Sequence, residues 1–289
     1  MQSGPKPRLF LRRGSGDEPV LARFSQCILD FFNNASQSFV LLNHCIEENR
    51  YVLTLASAST PNAVLLTHAH VCPIRRLSDA ERQQLDSEAA RIERLPGVAA
   101  SAVVETADGH VLLTRRAKTL RSFPGVWVGP GGYVDPGEAT LTTILREIQE
   151  ETGLMVSKMD RETSILNLWE SAFPPVPIET EPRLLPKRHD IVVYYHIKLA
   201  SPAKDMMDFR ISQDEVDMVC WVPRAAVHSI AHSICEADSS ISLDVLIWKD
   251  SDRRLVPASI PLSDLISQDN VSAGTKFAIR RMSEKSDCT

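Results

Sequence analysis

The segment from Gly132 to Leu154, GYVDPGEATLTTILREIQEETGL, constrains this chain more than any other stretch. Its pattern is G-x5-E-x7-R-E-U-x-E-E-x-G-U, with U an apolar residue. Residues 139–152 contain no glycine or proline, and Gly153 follows as a stop that tolerates the left-handed backbone, so the spacing predicts a helix with a loop at each end. At about 100° per residue, Glu147, Glu150 and Glu151 fall within an arc of about 100°, while Leu141, Leu145 and Ile148 gather on the side facing away. One face is expected to pack and the other to carry carboxylates.

Acidic helix faces are ordinarily solvated stripes, but this one is poorly placed to be one. Carboxylates three and four residues apart repel by some tenths of a kcal/mol, and these occupy the last turn, where the helix dipole favours cations. A bound divalent cation would compensate. Hard oxygen donors select magnesium or manganese, ions that commonly also hold substrate phosphates. Glu147, Glu150 and Glu151 are therefore the candidate metal ligands. Arg146 can reach Glu150 across one turn and hold it in a ligating rotamer, although a surface ion pair is the plainer reading. Glu138, at the N-terminal end, suits either the helix dipole or a supporting place behind the metal. Pro130, Gly131 and Gly132 let the backbone approach a ligand or turn sharply.

These residues together make up the complete Nudix box, and the chain resembles the Nudix hydrolases. The resemblance implies an α/β fold, a Nudix α/β/α sandwich with a mixed β-sheet, here accompanied by a smaller N-terminal α+β unit. It also implies metal-dependent hydrolysis of a pyrophosphate linkage in a nucleoside-diphosphate-type substrate. The expected chemistry is water attack at phosphorus, with Glu150, Glu151 or Glu215 as general base and Arg146 in support. Glu215 enters because Gln213 to Trp221, QDEVDMVCW, resembles a Nudix segment that often adds a glutamate to the metal cluster. Asp214 and Asp217 adjoin it, and any of the three also reads as a loop charge.

Substrate choice rests on the flanking sequence. Leu112 to Gly132 is close to the signature of coenzyme A pyrophosphatases, departing where Gly129 replaces Phe. The paired-cysteine zinc module of NADH pyrophosphatases is missing, and His68, His70 and Cys72 read as a polar strand and turn because a fourth ligand at suitable spacing is lacking. A third resemblance covers more of the chain: Asn167–Pro175, Leu185–Tyr195 and Val271–Met282 are similar to stretches of a decapping-type Nudix subgroup. That likeness implies hydrolysis of the 7-methylguanosine cap of mRNA, releasing 7-methyl-GDP. A coenzyme A or dinucleotide pyrophosphatase is the alternative, and a Nudix-fold nucleotide-binding module is the non-enzymatic one. Arg115, Arg116, Lys118 and Arg121 are candidates for phosphate contact, alongside Gly131 and Gly132. Trp169 and Phe173 are candidates for stacking on a purine, worth about 1 to 3 kcal/mol per base, though aromatics equally serve as core.

Charge limits the partners. A net charge of −5 argues against an extended nucleic-acid surface, leaving a nucleotide-linked small molecule or a capped RNA 5′ end. Six scattered cysteines read as reduced thiols, and no apolar run approaches the ~18 residues of a membrane span. The cytoplasm is the expected location. Mitochondrial targeting, suggested by Lys6, Arg8, Arg12 and Arg13, and peroxisomal targeting are alternatives.

Along the chain, the pattern predicts a helix from Leu21 to Phe31, strands at 38–42, 51–55 and 63–66, and a second helix from Ser78 to Leu95. Ser78 and Glu81 form a capping-box signature, and Pro96-Gly97 closes that helix. A hairpin at 102–114 turns on Asp108-Gly109, strands follow at 191–199, 216–222 and 242–248, and helices are expected after Pro223 and over 275–282. The expected domains are an N-terminal unit, 1–96, a Nudix domain, 97–235, and a C-terminal extension, 236–289.

Overall fold

A computed structural model describes residues 6–33, 37–47, 49–91, 93–174, 185–233, 241–267 and 270–286. The chain divides into two compact units, neither continuous in sequence. The first comprises Met1–Ala100, Tyr133–Thr140 and Asn167–Val193; the second comprises Ser101–Gly132, Leu141–Leu166 and Tyr194–Thr289. The expected boundary at 235/236 lies outside the described residues, as do Cys235 and Cys288.

In chain order the elements open with β1 (Arg8–Arg12), β2 (Val20–Leu21), α1 (Ile28–Asn33), β3 (Phe39–Glu47), β4 (Arg50–Leu55), β5 (Val64–His68) and α2 (Asp79–Arg91). Next come β6 (Gly97–Glu105), β7 (Val111–Arg116), β8 (Trp127–Val128), β9 (Gly131–Tyr133), α3 (Thr140–Thr152), β10 (Arg161–Phe173) and β11 (Arg188–Leu199). The chain closes with β12 (Val216–Val222), α4 (Arg224–His232), β13 (Ser242–Lys249), β14 (Arg254–Pro261), α5 (Ser263–Ile266) and α6 (Ala273–Ser286).

Within the first unit the strand order is β10-β5-β3-β4-β1-β2. The β1–β4 and β10–β5 pairs are parallel and the β3 pairs antiparallel, so the sheet is mixed, as an α/β fold requires. Leu9, Leu11, Leu42, Leu53 and Leu66 alternate onto its buried face. The predicted helix from Leu21 is shorter than expected, for two reasons. Leu21 pairs with Phe10 as a strand, and the Glu170 carboxylate accepts the Ile28 and Leu29 amides at 2.7 and 3.0 Å, which fixes the helix start at Ile28. Helix α2 opens on the capping box: Glu81 Oε2 accepts the Ser78 amide at 2.7 Å, and Ser78 Oγ accepts the Glu81 amide at 3.3 Å. It ends at Arg91, short of Leu95.

In the second unit, β12 pairs antiparallel with both β7 and β13, and β13 forms a hairpin with β14. Gly109, at φ +78°, makes the tight turn between β6 and β7. Strand β14 escapes the sequence pattern because Pro257 and Pro261 interrupt it; it stands at the end of the strand order, where prolines are tolerated. No described helix is long and apolar enough to cross a membrane.

Candidate active site

Helix α3 ends as its sequence demands: Gly153 takes φ +78° and its amide donates to Gln149 O at 2.8 Å. The packed face is rotated from the expected one. Thr143, Ile144 and Ile148 are fully buried, whereas Leu141 and Leu145 are only partly so. This rotation brings the acidic stripe against the core at one edge, and the three carboxylates end in different environments. The Glu150 side chain is 55% exposed, that of Glu147 is 13% exposed, and Glu151 is buried at 5%.

Arg146 Nη1 donates to Glu147 Oε1 at 2.8 Å and to Glu150 Oε2 at 2.9 Å, so one guanidinium holds two of the carboxylates. Glu151 accepts the Gly131 backbone amide, and Thr114 Oγ1 lies 3.5 Å from its Oε2. Gly132 is required beside Glu147: a Cβ at that position would come within 2.2 Å of Glu147 Oε1. Both glycines belong to the short strand β9. Glu215, exposed in the turn just before β12, lies near enough for its charge to act on Glu147 and Glu151. Its loop is fastened by the Ala117 amide, which donates to Glu215 O at 2.8 Å.

Burial, then the charge of Glu147, pushes the Glu151 carboxyl up to about 8. Burial likewise raises Glu147, against the pull of Arg146. A buried carboxylate facing like charges favours a cation beside it, and Arg146 bonds Glu147 and Glu150. The donor set is carboxylate oxygen throughout, which fits a hard divalent ion rather than a soft one.

The expected phosphate ligands separate. Arg115 forms a two-pronged ion pair with Asp217, Nε to Oδ1 at 2.6 Å and Nη2 to Oδ2 at 2.8 Å, which assigns Asp217 a partner other than metal. Arg116 Nε donates to Ser122 O at 3.1 Å, while its charge favours ionised Glu151. Arg121 and Lys118 are exposed. Trp169 lies in β10 within the first unit, opposite Thr67 and 8% exposed, the environment of a core aromatic. Glu138 Oε2 accepts the Asp135 amide at 3.4 Å in the turn before α3.

Two groupings in the first unit were missed. Glu170 and His189 form a buried pair, Oε1 to Nε2 at 3.0 Å. Burial works against both charges, yet the shared hydrogen bond and the partner's charge lower Glu170 and raise His189. Secondly, a cavity of about 920 Å³ is lined by Lys6, Arg8, Arg94, Lys187 and Arg188 around Tyr133. The Arg188 guanidinium lies 4.8 Å from the Tyr133 ring centroid, and the Tyr133 hydroxyl donates to Asp190 Oδ1 at 2.8 Å. The only sequence signal was that Arg188, His189 and Asp190 fall in one of the stretches similar to decapping-type enzymes.

A NUDIX domain model matches residues 95–240. A Danio rerio protein named m7GpppN-mRNA hydrolase NUDT17 is 33% identical over 277 residues, covering 90% of this chain and 90% of that protein. The identically named Xenopus laevis protein is 33% identical, covering 89% and 88%, and that of Homo sapiens is 31% identical, covering 82% and 76%. The similarity therefore extends well beyond the box and includes the N-terminal unit.

Proposed function

Given that this chain belongs to the Nudix hydrolase family, we propose that its substrate is the 7-methylguanosine cap of mRNA, cleaved in the phosphate chain to release 7-methyl-GDP. Nudix hydrolases generally require a divalent metal, and here magnesium or manganese is the ion proposed. The reading is supported by near full-length similarity to proteins named as cap hydrolases, and by one structural observation. That observation is the carboxylate group in which Glu147 and Glu151 are mostly buried and the charge of Glu215 reaches both.

Glu147, Glu150 and Glu151 would hold the ion, with Glu215 as a further donor. When bound, such an ion polarises phosphate oxygens and lowers the pKa of a coordinated water. Arg146 keeps Glu147 and Glu150 in place, and the Gly131 amide orients Glu151. Gly132 keeps a side chain out of the space that Glu147 occupies. Glu150 and Glu215 are exposed, and either can receive a proton from attacking water; Glu151 is the third candidate.

A side-by-side assay of methyl-capped RNA, coenzyme A and NADH with magnesium or manganese, compared as kcat/KM, tests the proposal. The expected result is preference for capped RNA. A large preference for coenzyme A or NADH would overturn the substrate while leaving the hydrolase standing.

A further inference from the structure

The first unit contains a second group of potential metal ligands, different in kind from the carboxylates. The ligand atoms of Cys27, His68 and Cys72 all lie within 4.8 Å of one another. Sequence spacing left His68 and Cys72 short of partners because Cys27 precedes them by about forty residues; the fold closes that gap. Cys27 stands immediately before α1, His68 ends β5, and Cys72 sits in the turn that follows. Register holds the group together: His68 is directly opposite Glu170 in the β5–β10 pair, and Glu170 fixes the start of α1 through the Ile28 and Leu29 amides. Both cysteines are 4% exposed.

The tautomer of His68 is set by its neighbour. Its Nδ1 lies 2.8 Å from the carbonyl oxygen of Ala69, an atom that only accepts, so Nδ1 carries the proton and Nε2 presents a lone pair. That Nε2 is buried, and no donor among the described residues, thiol or otherwise, bonds to it. Core packing gives no account of an unsatisfied acceptor beside two thiols. A ring held by a backbone carbonyl with its other nitrogen bare is the arrangement of a metal-binding histidine.

We propose that Cys27, His68 and Cys72 bind a zinc ion. Two thiolates and a neutral imidazole are a soft to intermediate donor set, which zinc accepts and magnesium does not. Two thiolates offset the dication, and on binding the Cys27 thiol gives up the hydrogen bond that it donates to Glu170 Oε2 at 3.6 Å. Zinc holds nitrogen and sulfur at about 2.0 to 2.3 Å, which places ligands within about 4 Å of one another, so the three must draw in by no more than about 1 Å. With three protein ligands a tetrahedral ion would take its fourth ligand from a water molecule. Such an ion would tie the start of α1 to the end of β5 and hold the first unit together, a role separate from phosphate hydrolysis.

The test uses the full-length chain, reduced, loaded with zinc or cobalt(II) and desalted. Elemental analysis should find about one zinc retained per chain, and the cobalt form should show thiolate-to-cobalt charge-transfer absorption. Both should persist in Glu151→Gln, which separates this ion from the one at the carboxylates. Both should be lost in Cys27→Ser and Cys72→Ser, and weakened in His68→Gln. Absence of the charge-transfer band from the wild-type protein would overturn the proposal whether or not the variants fold. Undiminished zinc in both cysteine variants would overturn it equally.

Discussion

Glu147 is set so close to Gly132 that no side chain fits between them; an added Cβ would meet Glu147 Oε1 at 2.2 Å. The glycine in the box is therefore a spatial requirement of the carboxylate, not only a flexible turn. Gly132→Ala should displace Glu147 and lower turnover by on the order of 100-fold, the scale expected when a catalytic group moves by about 1 Å. Steady-state kinetics on the purified variant checks this, and turnover within a factor of about two of wild type would show that Glu147 can move without consequence.

Glu150 and Glu151 should respond differently to the same neutral substitution. Either Glu150→Gln or Glu151→Gln should cost orders of magnitude in turnover. Of the two only Glu151 is buried, so without metal and above about pH 8, where its carboxyl carries a charge, Glu151→Gln should melt above the wild-type temperature, while Glu150→Gln should stay close to it. Near-normal turnover in both variants would remove the proposed metal centre.

Stability should carry the mark of Glu151. Its carboxyl is raised in the folded, metal-free protein to about 8, from about 4.3 in an unfolded chain. Its contribution is thus fully present below the unfolded value and is lost as pH rises through about 8. A divalent ion favours the charged form, so added manganese should raise the melting temperature more above about pH 8 than near pH 6. Equal shifts at both pH values would mean that no buried carboxylate is coupled to the ion.

Glu170 should matter to folding rather than to chemistry. It accepts the Ile28 and Leu29 amides and pairs with buried His189, so Glu170→Ala should destabilise the protein by about 3 to 5 kcal/mol in urea unfolding. Removing residues 1–96 would strip the same carboxylate of its amide partners, and the truncated chain is expected to be poorly soluble. A Glu170→Ala protein as stable as wild type would contradict this account of the first unit.

What the sequence made legible was local. The extent of α3, its Gly153 stop and the α2 capping box each depend on residues within a few positions of one another. The rotation of α3 that buries Glu151 was not legible, because it follows from the helix's neighbours: Thr114 on β7 and Gly131 on β9. Leu21 looked helical by spacing, yet pairs with Phe10 across a loop that spacing does not describe. Arg115 read as a phosphate ligand because its partner Asp217 lies about a hundred residues away. Cys27 stayed apart from His68 and Cys72 for the same reason, since no local period links them.

Calorimetric titration of manganese into the pure folded protein, with and without a nucleoside diphosphate, measures the central claim most directly. Saturable uptake is predicted for wild type, weakened by about tenfold or more in Glu147→Gln and Glu151→Gln. No divalent-ion uptake by the wild-type protein under either condition, or undiminished uptake in both variants, would contradict it.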